Sequence, residues 1–212
     1  ATSHEDMAIY EIFYTNPVKC CGVIVEIGAG DGLKRSASHF FEKGMGWKSV
    51  LFEANPDKHA ELQVNRPDAV AINGAFCEPS VDKLMFDKGE FRAPFKGAVA
   101  SERLAVTPPE PGFLERDVPC VKTAPIFEEL GITHVDIMIV RIGGDPLSVV
   151  MDGFDWTLRV DVWVIVMDND PPTEGSVISR DQVLRNVLRD NQYVKAEWDI
   201  RRWCGEEPGM CL

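Results

Sequence analysis

The chain has 212 residues, 45% hydrophobic and 26% charged, proportions of an ordinary globular protein with one sizeable core, so a single domain over residues 1–212 is expected. A formal net charge of −12 with no compensating basic run excludes a nucleic-acid partner, because affinity for a phosphate backbone rests on Lys and Arg releasing counterions. The longest apolar runs, Val23–Ile27 and Val160–Met167, fall far short of the roughly 20 residues of a spanning helix, so the chain is not expected to cross a membrane.

In chain order, GVIVEIGAGDG is an unbroken apolar run closing on glycines, the pattern of a buried parallel strand feeding a tight turn. A helix follows over Ser36–Lys43 with Phe40 and Phe41 inward and with Gly44 and Gly46 as stop signals. KSVLFEANP repeats the strand and turn, Pro56 suits the first position of a helix running through Leu62 toward Arg66, and DAVAINGAFC is a third strand. Residues 78–119 are rich in Pro, Gly and charge and predict an irregular or β-rich insertion, either a substrate-side lid or a hairpin covering a sheet edge.

Alternation resumes with the helix TAPIFEELGI, the strand VDIMIVRIGG, a helix near Leu147–Met151, the strand VDVWVIVMDND and a helix over Asp181–Asn191. YVKAEWDIRRWC then has room for one or two edge strands, packed by Trp198 and Trp203. Strands alternating with helices predict an α/β fold, a doubly wound and mostly parallel sheet, with ligands bound outside the carboxyl ends of the strands.

Six cysteines allow two readings. Cys204 and Cys211 flank a turn-rich segment that a disulfide would close, which points to an oxidising compartment; alternatively the thiols are buried and reduced. No C-x-x-C pair is present, which disfavours zinc. The first residue is Ala1, so an organelle lumen or secretory compartment, reached after removal of a targeting segment, stands beside the cytoplasm.

The chemistry is expected at Glu26, Gly28, Gly30, Asp31 and Gly32, where glycines let a ligand approach the backbone. The G-x-G-x-G spacing differs from the dinucleotide fingerprint, and Glu53, 22 positions after Asp31 at the end of the second strand, suits the ribose hydroxyls of a nucleoside. Two acids around such a turn attract the sulfonium and ammonium of S-adenosylmethionine and repel a pyrophosphate, which disfavours NAD. The alternative is a glycine turn that only closes the corner between strand and helix. His39 reads as a packed side chain, and Asp168 and Asp170 are acids that end the strand VDVWVIVMDND at the same rim, either catalytic or merely solvating a loop.

VEIGAGDG followed by FFEKGMGWKSVLFEANPDKHAELQVNRPDAVAINGAFC resembles the FkbM methyltransferase family, in particular its eukaryotic-type members, and the resemblance resumes from Ile126 through Phe154. It implies a Rossmann-like methyltransferase fold and methyl transfer from S-adenosylmethionine to a hydroxyl or amine of a small-molecule or glycan acceptor. By position, Glu26, Gly28, Gly30 and Asp31 would border the methionine part of the cofactor, Glu53 would hold the ribose, and Asn73 with Ala75 would lie near the adenine.

Two departures bear on catalysis. Ser36, Ala37 and Ser38 stand where the family has Ser-Asn-Thr, and Arg141, Ile142, Gly143 and Gly144 stand where it has D-x-E-G. Arg141 stays protonated and can act neither as base nor as metal ligand, which leaves Asp145, Asp168 and Asp170 as candidate catalytic acids. Two functions follow: a methyltransferase, or a non-catalytic protein of that fold serving as a structural or interaction subunit beside a protein partner.

Overall fold

The computed structural model describes residues 5–15, 18–77, 80–87, 90–92, 116–142, 150–151, 153–165 and 180–196. A short helix, α1 (Glu5–Ile9), runs into a π-helical turn over Tyr10–Tyr14. Then come β1 (Val23–Ile27), α2 (Ser38–Met45), β2 (Lys48–Glu53), α3 (Pro56–Asn65) and β3 (Val70–Asn73). Three short strands follow, β4 (Lys83–Asp87), β5 (Glu90–Arg92) and β6 (Arg116–Pro119). The described chain continues with α4 (Thr123–Glu129), β7 (His134–Val140), β8 (Arg159–Ile165) and α5 (Arg180–Asp190).

The larger sheet has five parallel strands in the order β3-β2-β1-β7-β8, so strand order reverses between β1 and β7. Alternation along these strands feeds two cores. Val25, Ile27, Val50, Phe52, Met138 and Val140 face one side, where Phe127 of α4 and Leu184 of α5 cover them. Ile24, Ile137 and Ile139 face the other, under Ile9, Tyr14, Phe41 and Trp47, while Leu62 of α3 covers Leu51. Helices on both faces explain why the strands read as unbroken apolar runs.

Local chemistry sets the helix ends. Asn55 caps α3 by accepting from the Asp57 and Lys58 amides at 2.9 and 3.3 Å, with Pro56 in the first turn. Pro67 disfavours helical geometry at the residue before it, and Arg66 leaves the helix at φ −131°. Gly46, at φ 70°, closes α2 by donating its amide to Glu42; Gly44, expected as a second stop, lies inside the helix.

The insertion is β-rich where it is described: β4 pairs antiparallel with both β5 and β6. It is fixed to the end of β3 by reciprocal backbone bonds, Ala75 N to Pro119 O at 2.9 Å and Val121 N to Ala75 O at 2.8 Å, and by a disulfide between Cys77 and Cys120 with Cα atoms 5.6 Å apart. Arg116 also reaches Asp57 at the start of α3, at 2.7 Å. Neither cysteine reading anticipated this bridge. Cys20 and Cys21 are free and exposed rather than buried, whereas Cys204 and Cys211 lie outside the described residues. The third strand ends at Asn73, short of the expected Cys77, and Tyr193–Ala196 form no strand; the remainder of that segment, with Trp198 and Trp203, is outside the described residues.

The Cys77–Cys120 bridge closes 43 residues of chain, which restricts the unfolded ensemble by about 4 kcal/mol in the chain-entropy account. Cys77→Ala is therefore expected to lower unfolding free energy by about 2–4 kcal/mol in denaturant titration, and added reductant should lower wild type by more than it lowers the variant.

Candidate functional site

The chain leaves β1 between two neighbouring strands. Gly28 and Ala29 both donate to Phe52 O on β2, at 2.9 and 3.0 Å, while Arg141 at the end of β7 donates to Ile27 O at 2.8 Å. Gly28 has φ +84°, and a Cβ there would stand 2.2 Å from Arg141 O, so hydrogen alone fits. Gly32, at φ +78°, packs where a Cβ would strike Leu62 and Arg66. Gly30 differs. Its φ of +60° also favours glycine, but a Cβ would meet nothing within 4 Å, so the turn faces open space there.

Carboxylates hold this turn. Glu53, at the carboxyl end of β2, accepts the Gly30 amide on Oε2 at 2.7 Å and the Asn55 amide on Oε1 at 2.8 Å. It thereby couples the glycine turn to the cap of α3. Asp31 accepts the Leu33 and Lys34 amides at 3.0 and 2.8 Å; slight burial opposes its ionisation, but those amides outweigh it and hold the carboxyl below its usual range. Asn73, opposite Glu53 in the β2–β3 register, donates to the Glu53 and Ala54 carbonyls at 2.8 and 3.2 Å.

Glu26 occupies a different environment. It follows Ile24 on the face covered by α2 and is fully buried. Its Oε2 accepts from the Ser36 and Ser38 hydroxyls at 2.7 and 2.6 Å, and Oε1 is buried with no hydrogen-bond partner. Burial pushes its carboxyl above the ordinary range, against the lowering by the two serines and by the Arg141 charge.

Behind the serines lies Arg66, 0% exposed, a residue that sequence reasoning took for a helix end. It donates to Gly32 O at 2.9 Å, to Ser36 at 3.3 Å, to Ser38 and Ser49 at 3.4 Å each, and to Glu42 at 2.5 and 3.0 Å. Burial opposes ionisation of Glu42, but the Arg66 and Lys43 hydrogen bonds outweigh it and hold the carboxyl below its usual value. His39 is partly buried on α2, where burial, and then the Arg66 charge, lower its imidazole. The one sequence signal for Arg66 is the proline after it, which marks where α3 must end but not that the arginine turns inward.

Five of the six residues expected at the cofactor, Gly28, Gly30, Asp31, Glu53 and Asn73, reach the surface at the carboxyl ends of β1, β2 and β3, where strand order also reverses beside β1. Glu26 lies beneath them. Arg141 pairs with Glu5 of α1, an ion pair across 136 residues that no local pattern announces. Asp145, Asp168, Asp170, Gly143 and Gly144 lie outside the described residues.

At the opposite, amino end of the sheet, His134, Asp136 and Asp161 bring potential ligand atoms within 4.8 Å of one another. Cationic side chains already answer these carboxylates: Lys19 pairs with Asp136 and lies 3.9 Å from Asp161, and Arg159 pairs with Asp161 at 2.9 Å. That is the charge balance of an ion-pair network fastening the start of β1 to β7 and β8.

Among the described residues no helix is long and apolar enough to cross a membrane. Comparison with protein-family models, with curated proteins and with solved structures finds no match.

A raised folded-state pKa at Glu26 means that its stability contribution is full below the unfolded value of 4.5 and is lost as pH rises through the folded value. Glu26→Gln, which keeps the shape without the charge, should raise the thermal midpoint at pH 7 and leave it nearly unchanged at pH 4; a midpoint lowered at pH 7 would contradict this. Gly28→Ala should destabilise by more than Gly30→Ala: both carry the left-handed penalty of about 1–2 kcal/mol, and the first adds a clash with backbone.

Proposed function

We propose that this protein binds S-adenosylmethionine at the carboxyl ends of β1 and β2, in a Rossmann-like methyltransferase fold, and methylates a hydroxyl or amine of a small-molecule or glycan acceptor. The observation that carries the reading is Glu53: a partly exposed carboxylate that grips Gly30 at the one place where the glycine turn faces open space. Each of its oxygens accepts one amide and retains a lone pair, which suits the donor hydroxyls of a ribose. The acids nearby fit the rest of the cofactor as well. Asp31 at the rim and Glu26 beneath favour a ligand carrying a sulfonium and an ammonium and oppose a pyrophosphate. The resemblance of Val23–Cys77 to FkbM methyltransferases supports the same choice.

When bound, S-adenosylmethionine supplies an electrophilic methyl group. This chain's part is positional: the glycine turn lets the ligand meet backbone, and Glu53 and Asp31 orient it. A base for the acceptor would come from Asp145, Asp168 or Asp170.

One observation favours the second reading, a non-catalytic subunit of an assembly. The end of β7, where the related enzymes carry acids, presents Arg141, and its guanidinium is paired with Glu5. Such a pair fastens α1 across the strand ends and offers no base.

Calorimetric titration with S-adenosylmethionine and S-adenosylhomocysteine tests the cofactor site. Binding on the order of micromolar is expected for wild type, weakened about tenfold or more in Glu53→Ala. No heat from a folded sample would refute the proposal. Binding without transfer of labelled methyl to hydroxyl- and amine-bearing acceptors would select the subunit reading.

A further inference from the structure

Arg66 touches no part of the open rim, yet its contacts bear on Glu26, the fully buried carboxylate beneath that rim. A guanidinium has donors and no acceptor. Ser36 and Ser38 can therefore only accept from Arg66, at 3.3 and 3.4 Å, and each hydroxyl proton is left to point at Glu26 Oε2, at 2.7 and 2.6 Å. The two hydroxyls approach each other to 3.0 Å, a contact that holds no proton when both donate to Glu26. Glu42, paired with the same guanidinium, fixes Arg66 in this pose, and the Gly32 carbonyl ties it to the glycine turn.

We propose that Arg66 is a positioning residue of the ligand site: by forcing both serine hydroxyls to donate to Glu26, it stabilises the ionised form of that carboxylate and so sets the affinity for a cationic ligand over the glycine turn. The inference rests on the functional reading above. It goes further in making ligand binding proton-linked. Glu26, buried with one oxygen unpartnered, gives up its proton when a positive charge arrives nearby, because a cation close to a desolvated carboxyl favours its charged form. The charged groups around it are Arg141 at the end of β7, with Glu5 of α1 paired to it, and Arg66 and Glu42 behind the serines. The serines are the only hydrogen-bond donors found on the carboxylate among the described residues.

The test is titration calorimetry with S-adenosylmethionine across roughly one and a half pH units on either side of neutrality, in buffers of differing ionisation enthalpy. Wild type is expected to release a proton on binding and to bind more tightly as pH rises. Ser36→Ala/Ser38→Ala removes the donors without disturbing the Arg66–Glu42 pair; it should move the rise in affinity to higher pH and weaken binding about tenfold at pH 7. Arg66→Met should give the same displacement together with lower stability, and Glu26→Gln should bind without proton release and without pH dependence. Should Arg66→Met fail to fold, Arg66→Lys, which keeps the charge but lacks the fork, is expected to show the displaced profile. Variants that bind with the wild-type pH profile would overturn this inference alone. A wild-type protein that gives no heat at any pH would instead overturn the functional reading on which it rests.

Discussion

Everything at the carboxyl end of β1 follows from the way the chain leaves that strand. Its next residue must pass between β2 and β7 with its amide on Phe52 O and its α-carbon against Arg141 O, and no side chain fits in that gap. Once Gly28 meets that constraint, the turn that follows runs through positive φ at Gly30 and Gly32 as well, a shape with few backbone bonds of its own. Carboxylates supply what the backbone lacks. Glu53 fixes Gly30 from the side of β2, and Asp31 holds the amides of Leu33 and Lys34 that follow it. The same acids that hold the turn make its surface attractive to a cation.

Beneath that rim the molecule keeps an arrangement unfavourable to stability. A carboxylate without exposure, satisfied on one oxygen and orphaned on the other, is poorly accommodated by an apolar layer formed of Ile24, Ile137 and Ile139. Folds discard such groups unless they have a use, and buried groups with displaced pKa values concentrate at functional sites. The Arg66–Glu42 pair beside it is itself desolvated, with several hydrogen bonds to compensate. The glycine turn, the carboxylates that hold it and the buried network thus form one continuous polar unit set into an otherwise apolar face of the sheet.

Much of the frame was legible in the sequence because it is written in short-range patterns. The run Val23–Ile27, the glycines after it, Pro56 at the start of α3 and Gly46 at the end of α2 each act within a few residues, and each behaves as composition and spacing predict. The missed features join distant parts of the chain. Arg66 meets Glu42 across 24 positions, Arg141 meets Glu5 across 136, and Cys77 meets Cys120 across 43; no periodicity encodes such partners. Glu26 shows the same limit from the other side. Its place two residues before Gly28 marked it as a site residue, but only packing reveals that it is enclosed by serines rather than presented at the surface.

Hydrogen–deuterium exchange of the backbone amides, with and without saturating S-adenosylmethionine, is the most direct test of the claim that the turn after β1 is the ligand site. The account predicts slower exchange for the amides from Gly30 to Lys34 and at Asn55, with the His134–Asp136 end of β7 unchanged. Unaltered exchange in the turn at saturating ligand, or protection confined to the amino end of the sheet, would contradict it.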